Sequence, residues 1–340
     1  MTATAPPRTA PALAVSGLSV ELERGRDGAV PIVRDVSFTV ERGRRMGLVG
    51  ESGSGKTLTA MAVMGLLKRP LRVAGGSVRL GETELRGLRR RSLDRVRGGR
   101  IGMVYQDPMQ SLNPLHKVGD QIAESLRLHT SLDRRAVRER VVELLDDVGI
   151  HDAAAKARAY PHELSGGMRQ RAMIAMGLAG DPEVLLCDEP TTALDVTTQR
   201  RIVELLVRIS QERGVAMVMI THDLGVAAGF CDDVAVMYAG RIVEQAPVRD
   251  LYARPAHPYT EALLSAACDL TLPLDRPIPT IPGQPPLPGL LAGGCSFHPR
   301  CPYAQEACAQ ERPTLDGSDR RRVACHFALA SVEQTEASDV

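Results

Sequence analysis

Three stretches of this chain are apolar almost without interruption: MGLVG at 46–50, EVLLC at 183–187 and VAMVMI at 215–220. Such runs suit strands buried on both faces, as in a parallel sheet. Two others, VSGLSVELE at 15–23 and DVSFTVERG at 35–43, alternate apolar and polar residues, the period of a half-buried strand. IGMVY at 101–105 predicts a further strand that ends at Gln106, and DDVAVMYAG followed by RIVEQA predicts a hairpin. Between the strands the period changes. In RRAVRERVVELLDDVGI at 134–150, Val137, Val141, Leu144, Leu145 and Val148 fall on one helical face, and Gly149 supplies a stop. Helices are also predicted for 57–67, 166–180 and 197–213. The expected fold is α/β: a mixed, mainly parallel sheet covered by helices, an antiparallel β region near the start, and a helical insertion at about 107–165.

The pattern breaks after Cys268. Residues 273–289 hold seven prolines, which bar a regular helix there. Three parts are therefore expected: a loose tail at 1–13, a main domain at 14–268, and an appended region at 269–340 too small and loop-rich to hold a large core alone. No run approaches the roughly 20 apolar residues of a membrane span, and the N-terminus lacks a basic start followed by a long apolar stretch. Neither a span nor a secretory signal is expected. Lys and Arg number 42 against 41 Asp and Glu, and a net charge of +1 gives no footing for a general nucleic-acid surface. The basic run RGLRRRSLDRVRGGR at 86–100 is expected to be a solvated helix face, with contact to lipid headgroups or a partner subunit as the other reading.

The chemistry concentrates at strand ends. Gly50-Glu51-Ser52-Gly53-Ser54-Gly55-Lys56-Thr57 fits the spacing G-x-x-x-x-G-K-[ST], after a predicted strand and before a predicted helix. Glycines there let backbone N–H groups curl round phosphate oxygens, and the helix start points its positive end at the same anion. Gly50, Ser52, Gly53, Ser54 and Gly55 are thus candidate nucleotide-binding positions. Lys56 would neutralise β- and γ-phosphate charge, and the Thr57 hydroxyl would bind Mg²⁺. The apolar strand at 184–187 ends in Asp188 and Glu189. Successive strand side chains diverge, so the acids can divide the work, Asp188 holding Mg²⁺ through water and Glu189 polarising the attacking water as general base. Gln106 follows a strand and could reach Mg²⁺ or that water; His222 follows another and could donate to the γ-phosphate. Taken singly, each of these two is as well explained by a structural role.

Leu164-Ser165-Gly166-Gly167-Met168 is a second short glycine motif opening a helix, upstream of the Asp188-Glu189 pair. The chain's own nucleotide cannot easily use it, and it makes sense if two chains face each other and close on ATP. With the phosphate loop and the acid pair, it makes the chain resemble the ATP-binding cassette family over roughly residues 14–265. That resemblance implies a P-loop NTPase cassette in which Gln106 is the Q-loop residue and His222 the switch histidine. Ser165, Gly166 and Gly167 would contact the γ-phosphate held on the facing chain, and Ala193-Leu194-Asp195 would be the loop that crosses the dimer interface. Two ATP molecules would act as glue, and their hydrolysis would release it to drive a membrane channel. One position departs. The family places an aromatic ring some two dozen residues before the phosphate loop to stack on adenine, and this chain has no aromatic residue before Phe38. Weak discrimination between ATP and GTP is the expected consequence.

Cys295, Cys301, Cys308 and Cys325 crowd the C-terminal region. The nucleotide motifs place the chain in the cytosol, where disulfides are disfavoured, so clustered thiols point first to a metal. Their spacing matches neither a zinc ribbon nor a ferredoxin run and leaves the metal open. HPYTEALL at 257–264, GCSFHPRCPYAQEAC at 294–308, ERPTL at 311–315 and VACH at 323–326 resemble the C-terminal region of dipeptide and oligopeptide importer ATPases. In some members the matching cysteines hold a 4Fe–4S cluster. Zinc and an empty reduced set are the alternatives, with His298 and His326 as rival zinc ligands. The resemblance implies the ATPase subunit of a peptide importer, peripheral on the cytoplasmic face of the cell membrane. A second, related ATPase subunit would complete a heterodimer, joined by two membrane permease subunits and an extracellular solute-binding protein. Importers of nickel or other small solutes use similar ATPases. A soluble cassette ATPase acting on ribosomes or DNA is a different class, and one cassette with near-zero net charge speaks against it.

Overall fold

The computed structural model describes residues 10–25, 28–192, 194–266, 280–287, 293–318 and 320–329. Residues 1–9 of the expected tail, Ala193, Cys268 and most of the proline-rich segment lie outside them. Among the described residues the strands are, in chain order, β1 (Leu13–Glu23), β2 (Ala29–Val40), β3 (Arg45–Val49), β4 (Leu71–Leu80), β5 (Thr83–Glu84), β6 (Ile101–Val104), β7 (Val184–Asp188), β8 (Ala216–Thr221), β9 (Asp233–Tyr238), β10 (Arg241–Pro247), β11 (Asp316–Gly317) and β12 (Arg322–Val323). Four form an antiparallel sheet in the order β2-β1-β4-β5, and eight form a second sheet in the order β11-β12-β10-β9-β3-β8-β7-β6. In the larger sheet β6, β7, β8, β3 and β9 run parallel, whereas β10, β12 and β11 pair antiparallel at one edge. The predicted hairpin is β9 and β10.

The continuous apolar character of the parallel strands has a simple cause: both faces are covered. Met46 and Leu48 of β3, Val184 and Leu186 of β7, and Val218 and Ile220 of β8 face the core shared with the four-stranded sheet. Val49, Leu185, Cys187, Met217 and Met219 face the other core, with the helices Gly166–Leu178, Val196–Arg213 and Leu224–Phe230. Period-two alternation survives, but it chooses between two cores rather than between core and water. LRVAGGSVRL forms β4 without an apolar run, burying only Val78 and Leu80. Its pairing with β1 is close: a Cβ on Gly76 would sit 2.5 Å from the Gly17 backbone.

Between β6 and β7 the chain runs through helices Pro108–Ser111, Val118–His129, Arg134–Asp147 and Ala153–Lys156. The predicted face of Arg134–Asp147 is buried at Val137, Val141, Leu144 and Leu145; Asp133 caps its start and Gly149, at φ 74°, follows its end. The helix after the phosphate loop, Lys56–Val63, is shorter than expected because the chain leaves it at Gly65, φ 63°. In the basic run, Arg86, Arg89, Arg90, Arg91 and Arg95 are exposed, as a solvated face requires. Arg97 and Arg100 instead bond into the fold, Arg97 Nε to the Met64 carbonyl at 2.7 Å and Arg100 Nη1 to Thr83 Oγ1 at 2.9 Å.

The last described residues are knitted to the main sheet. β12 pairs with β10, and fully buried Glu244 of β10 accepts from the Ala256 and His257 N–H groups at 2.9 Å each and from Arg321 Nη2 at 3.1 Å. No helix among the described residues is long and apolar enough to cross a membrane.

Candidate functional site

Gly50 leaves β3 with φ 152°, and a Cβ there would lie 2.2 Å from the Met237 carbonyl oxygen of β9. Only glycine fits so close to the neighbouring strand. The loop that follows walls a cavity of about 690 Å³, with Gly50, Glu51, Ser52, Gly53, Gly55, Lys56 and Thr57 on one side and Gln106, Glu189, Thr192 and His222 on the other. Lys56 is buried, and its ammonium donates to the carbonyls of Gly50 (2.7 Å) and Glu51 (2.9 Å). Burial lowers its pKa, against the opposing charges of Glu189, Asp188 and Glu51. Thr57 Oγ1 donates to Asp188 Oδ1 at 3.0 Å. Burial raises the pKa of Asp188, with the Glu189 charge adding to the rise and the Thr57 bond opposing it. Two hard oxygens side by side beneath a phosphate loop suit Mg²⁺, which takes one or two carboxylates and leaves sites for phosphate.

Glu189, just after β7, adopts φ 45° and turns its carboxylate into a small polar cluster. Its Oε1 lies 3.2 Å from His222 Nδ1, and its Oε2 accepts from Gln106 Nε2 and Thr192 Oγ1, both at 3.0 Å. Three strand ends thus deliver Gln106, Glu189 and His222 to one place. Ser54 is buried within the loop. Thr192 and Glu51 escaped the sequence reading. The threonines directly after Asp188-Glu189-Pro190 could have flagged Thr192, but nothing local marks Glu51, whose partners stand at 259 and 300.

The remaining predicted nucleotide ligands lie elsewhere. Ser165, Gly166, Gly167 and Asp195 do not line this cavity. Ser165 caps the helix Gly166–Leu178 by accepting from the Met168 N–H at 3.3 Å. Asp195 caps Val196–Arg213 by accepting from the Thr198 N–H at 3.0 Å, and hydrogen bonding by Thr198 lowers its pKa. Beside it Val196 is 82% exposed, an apolar side chain left uncovered next to two helix starts. The expected adenine-side position is only partly visible, since residues 26 and 27 lie outside the described ones; no Phe or Tyr lines the cavity among those described.

A second cavity is lined by Cys295, Cys301, Cys308 and Cys325, with His257 and Phe297. Burial, and then the charges of Cys295, Cys301 and Cys308, push the Cys325 thiol up to about 11. His257 is fully buried; its Nδ1 accepts from the Tyr259 N–H at 3.0 Å, which leaves the proton on Nε2. That Nε2 is buried without a hydrogen-bond partner. Burial lowers the His257 pKa to about 4, against a weaker opposing pull from the Ala324 carbonyl, so the ring is neutral. Each rival zinc ligand holds a backbone carbonyl with one of its two ring nitrogens: His298 Nδ1 lies 2.7 Å from the Cys295 carbonyl and His326 Nε2 3.0 Å from that of Glu311. Among the described residues no group of three or more His, Cys, Asp or Glu is arranged to hold a single metal ion.

Residues 33–192 match the family model described as ABC transporter, and residues 243–308 match the oligopeptide/dipeptide transporter C-terminal region. A putative peptide import ATP-binding protein of Brucella abortus is 48% identical over 326 residues, covering 96% of this chain and 98% of that protein. The oligopeptide transport ATP-binding protein OppD of Salmonella typhimurium is 48% identical over 299 residues, covering 88% of this chain and 89% of its own length. Among solved structures, the dimeric post-hydrolysis form of the ATP-binding cassette MJ0796, bound to ADP and Pi, superposes with a TM-score of 0.62 at 26% identity, over 70% of this chain and 99% of that one.

Proposed function

The chain belongs to the ATP-binding cassette family, among its oligopeptide and dipeptide transporter ATPases, and we propose that it powers peptide import by closing on ATP with a second ATPase subunit and then hydrolysing it. The observation that carries this reading is the split of the site. Lys56, Thr57, Gln106, Glu189 and His222 line one phosphate cavity, with Asp188 bonded to Thr57, while outside it Ser165 and Asp195 cap helices and Gly166 and Gly167 open the helix that Ser165 caps. A facing chain supplies the missing edge, and the dimeric relative with ADP and Pi supports that arrangement.

On binding, Lys56 exchanges its carbonyl partners for β- and γ-phosphate oxygens. Thr57 and Asp188 would hold Mg²⁺, which neutralises phosphate charge when bound. Glu189 accepts a proton from the attacking water as the new P–O bond forms and the bond to the β–γ bridging oxygen breaks, leaving ADP and phosphate. Gln106 and Thr192 hold the Glu189 carboxylate. His222 turns Nδ1 to Glu189, and with both ring nitrogens protonated its Nε2–H can donate to the γ-phosphate. The ATPase sits on the cytoplasmic face of the membrane, with two permease subunits crossing it and an extracellular solute-binding protein delivering peptide. The test is ATP turnover by the assembled complex in vesicles. Stimulation by di- or oligopeptides with their solute-binding protein is expected; stimulation by nickel alone, or salt-sensitive RNA binding without membrane subunits, overturns the peptide assignment.

We read the four thiols as ligands of a 4Fe–4S cluster that staples the C-terminal residues. Two observations support this. All four line one cavity, and the orphaned Nε2–H of His257 in its wall is a donor suited to a sulfur acceptor. Purified without oxygen, the protein is expected to carry iron and sulfide. Cys301→Ser should lose both and lower the stability of the C-terminal residues and peptide transport, while the phosphate loop still binds ATP. Stoichiometric zinc, or unaltered iron and melting behaviour in the variant, refutes this reading.

A further inference from the structure

Glu51, inside the phosphate loop, is gripped from outside it. Arg300 Nη1 donates to Glu51 Oε2 at 2.7 Å and Nη2 to Oε1 at 3.0 Å, a two-pronged pair. The Arg300 side chain is only 4% exposed. Its Nε donates to the Pro282 carbonyl at 2.8 Å, Nη1 also reaches Tyr238 Oη at 3.3 Å, and the guanidinium lies over the Tyr238 and Phe297 rings. The main chain of Glu51 is held as well. Its N–H donates to Tyr259 Oη at 2.8 Å, and its carbonyl accepts from Lys56 at 2.9 Å.

Glu51 also lines the nucleotide cavity. A triphosphate brings several negative charges into that space, and an unpaired carboxylate on the wall repels them. Arg300, itself buried, cancels the carboxylate, whose own side chain is 25% exposed. When Lys56 turns to the phosphates, the Glu51 carbonyl loses its partner, and the grip of Arg300 and Tyr259 is what fixes the start of the loop. Arg300 immediately precedes Cys301, and Tyr259 stands two residues after His257, so both arms of the grip begin at the wall of the four-thiol cavity.

We propose that Arg300 is a positioning residue for the phosphate loop: by neutralising and fixing Glu51 it lets the loop accept a triphosphate, so that the segment carrying the four cysteines sets nucleotide affinity. The proposal rests on the ATPase reading above, and a wild-type complex without ATP turnover would sink that reading rather than this one. In the assembled complex, Arg300→Ala is expected to raise the KM for MgATP by roughly tenfold or more, with a much smaller fall in kcat and unchanged iron content. Arg300→Lys keeps the charge but not the fork and falls between. The deciding variant is Arg300→Ala combined with Glu51→Gln. Removing the orphaned charge restores most of the affinity, since losing both partners of a buried pair is milder than losing one. A role in packing alone gives a double variant no better than Arg300→Ala. An unchanged KM in Arg300→Ala, or no recovery in the double variant, overturns the proposal. Should Arg300→Ala not fold, Arg300→Lys decides in its place, a raised KM supporting the proposal and a wild-type KM rejecting it.

Discussion

With Glu189 replaced by Gln, ATP turnover is expected to fall by about 10²- to 10⁴-fold while ATP stays bound and the closed dimer accumulates. The amide matches the carboxylate in shape, so the cluster with Gln106, Thr192 and His222 can persist. What the amide cannot do is take a proton from water. Binding should not weaken, because the substitution removes a negative charge from beside the γ-phosphate. Replacing Lys56 would be a blunter test, since it removes binding and chemistry together. The two consequences for Glu189→Gln are separable: single-turnover hydrolysis in the assembled complex reads the first, and ATP-dependent dimer formation by size reads the second. Turnover within about tenfold of wild type, a loss below the range of general-base contributions, would remove Glu189 from that role.

The parts legible in the sequence are those whose physics is local. MGLVG, EVLLC and VAMVMI announce central strands because each is buried on both sides, so no polar residue interrupts them. The phosphate loop is legible because glycine positions and the lysine are fixed over eight residues, and Gly50 shows why: the adjacent strand leaves no room for a Cβ. β4 was hidden, because an edge-like strand with alternate residues in water carries no apolar run, and its place is set by backbone pairing with β1. The grip on Glu51 was hidden for another reason. Its members stand at 51, 238, 259 and 300, and only the docking of the C-terminal residues on the main sheet brings them together. The four cysteines were visible as a set, yet the buried neutral His257 among them was not, since its environment and not its sequence neighbours shifts its pKa.

Gly166→Asp is expected to leave the subunit folded and still able to bind ATP at its own phosphate loop, yet to reduce turnover of the assembled complex by about 10²-fold or more. Geometry makes this substitution mild within the chain. A Cβ at Gly166 meets nothing nearer than Leu194 Cδ2 at 3.9 Å, and a carboxylate in the first turn of the helix Gly166–Leu178 is favoured by the helix dipole. Gly167 would be a poorer probe, because a Cβ there lies 2.9 Å from Thr198 Cγ2 and disturbs the neighbouring helix. If the helix start serves the nucleotide on a facing chain, the new carboxylate meets the γ-phosphate and prevents closure. The damage then falls on the site whose phosphate loop belongs to the other subunit, and the Glu189→Gln dimer no longer forms when Gly166→Asp is added. If one chain did the whole reaction alone, the substitution would be silent, since Gly166 lies outside its own cavity. Wild-type turnover together with intact ATP-dependent pairing in Gly166→Asp would therefore reject the shared site, while a melting temperature at or slightly above that of wild type guards against reading a folding defect as a loss of function.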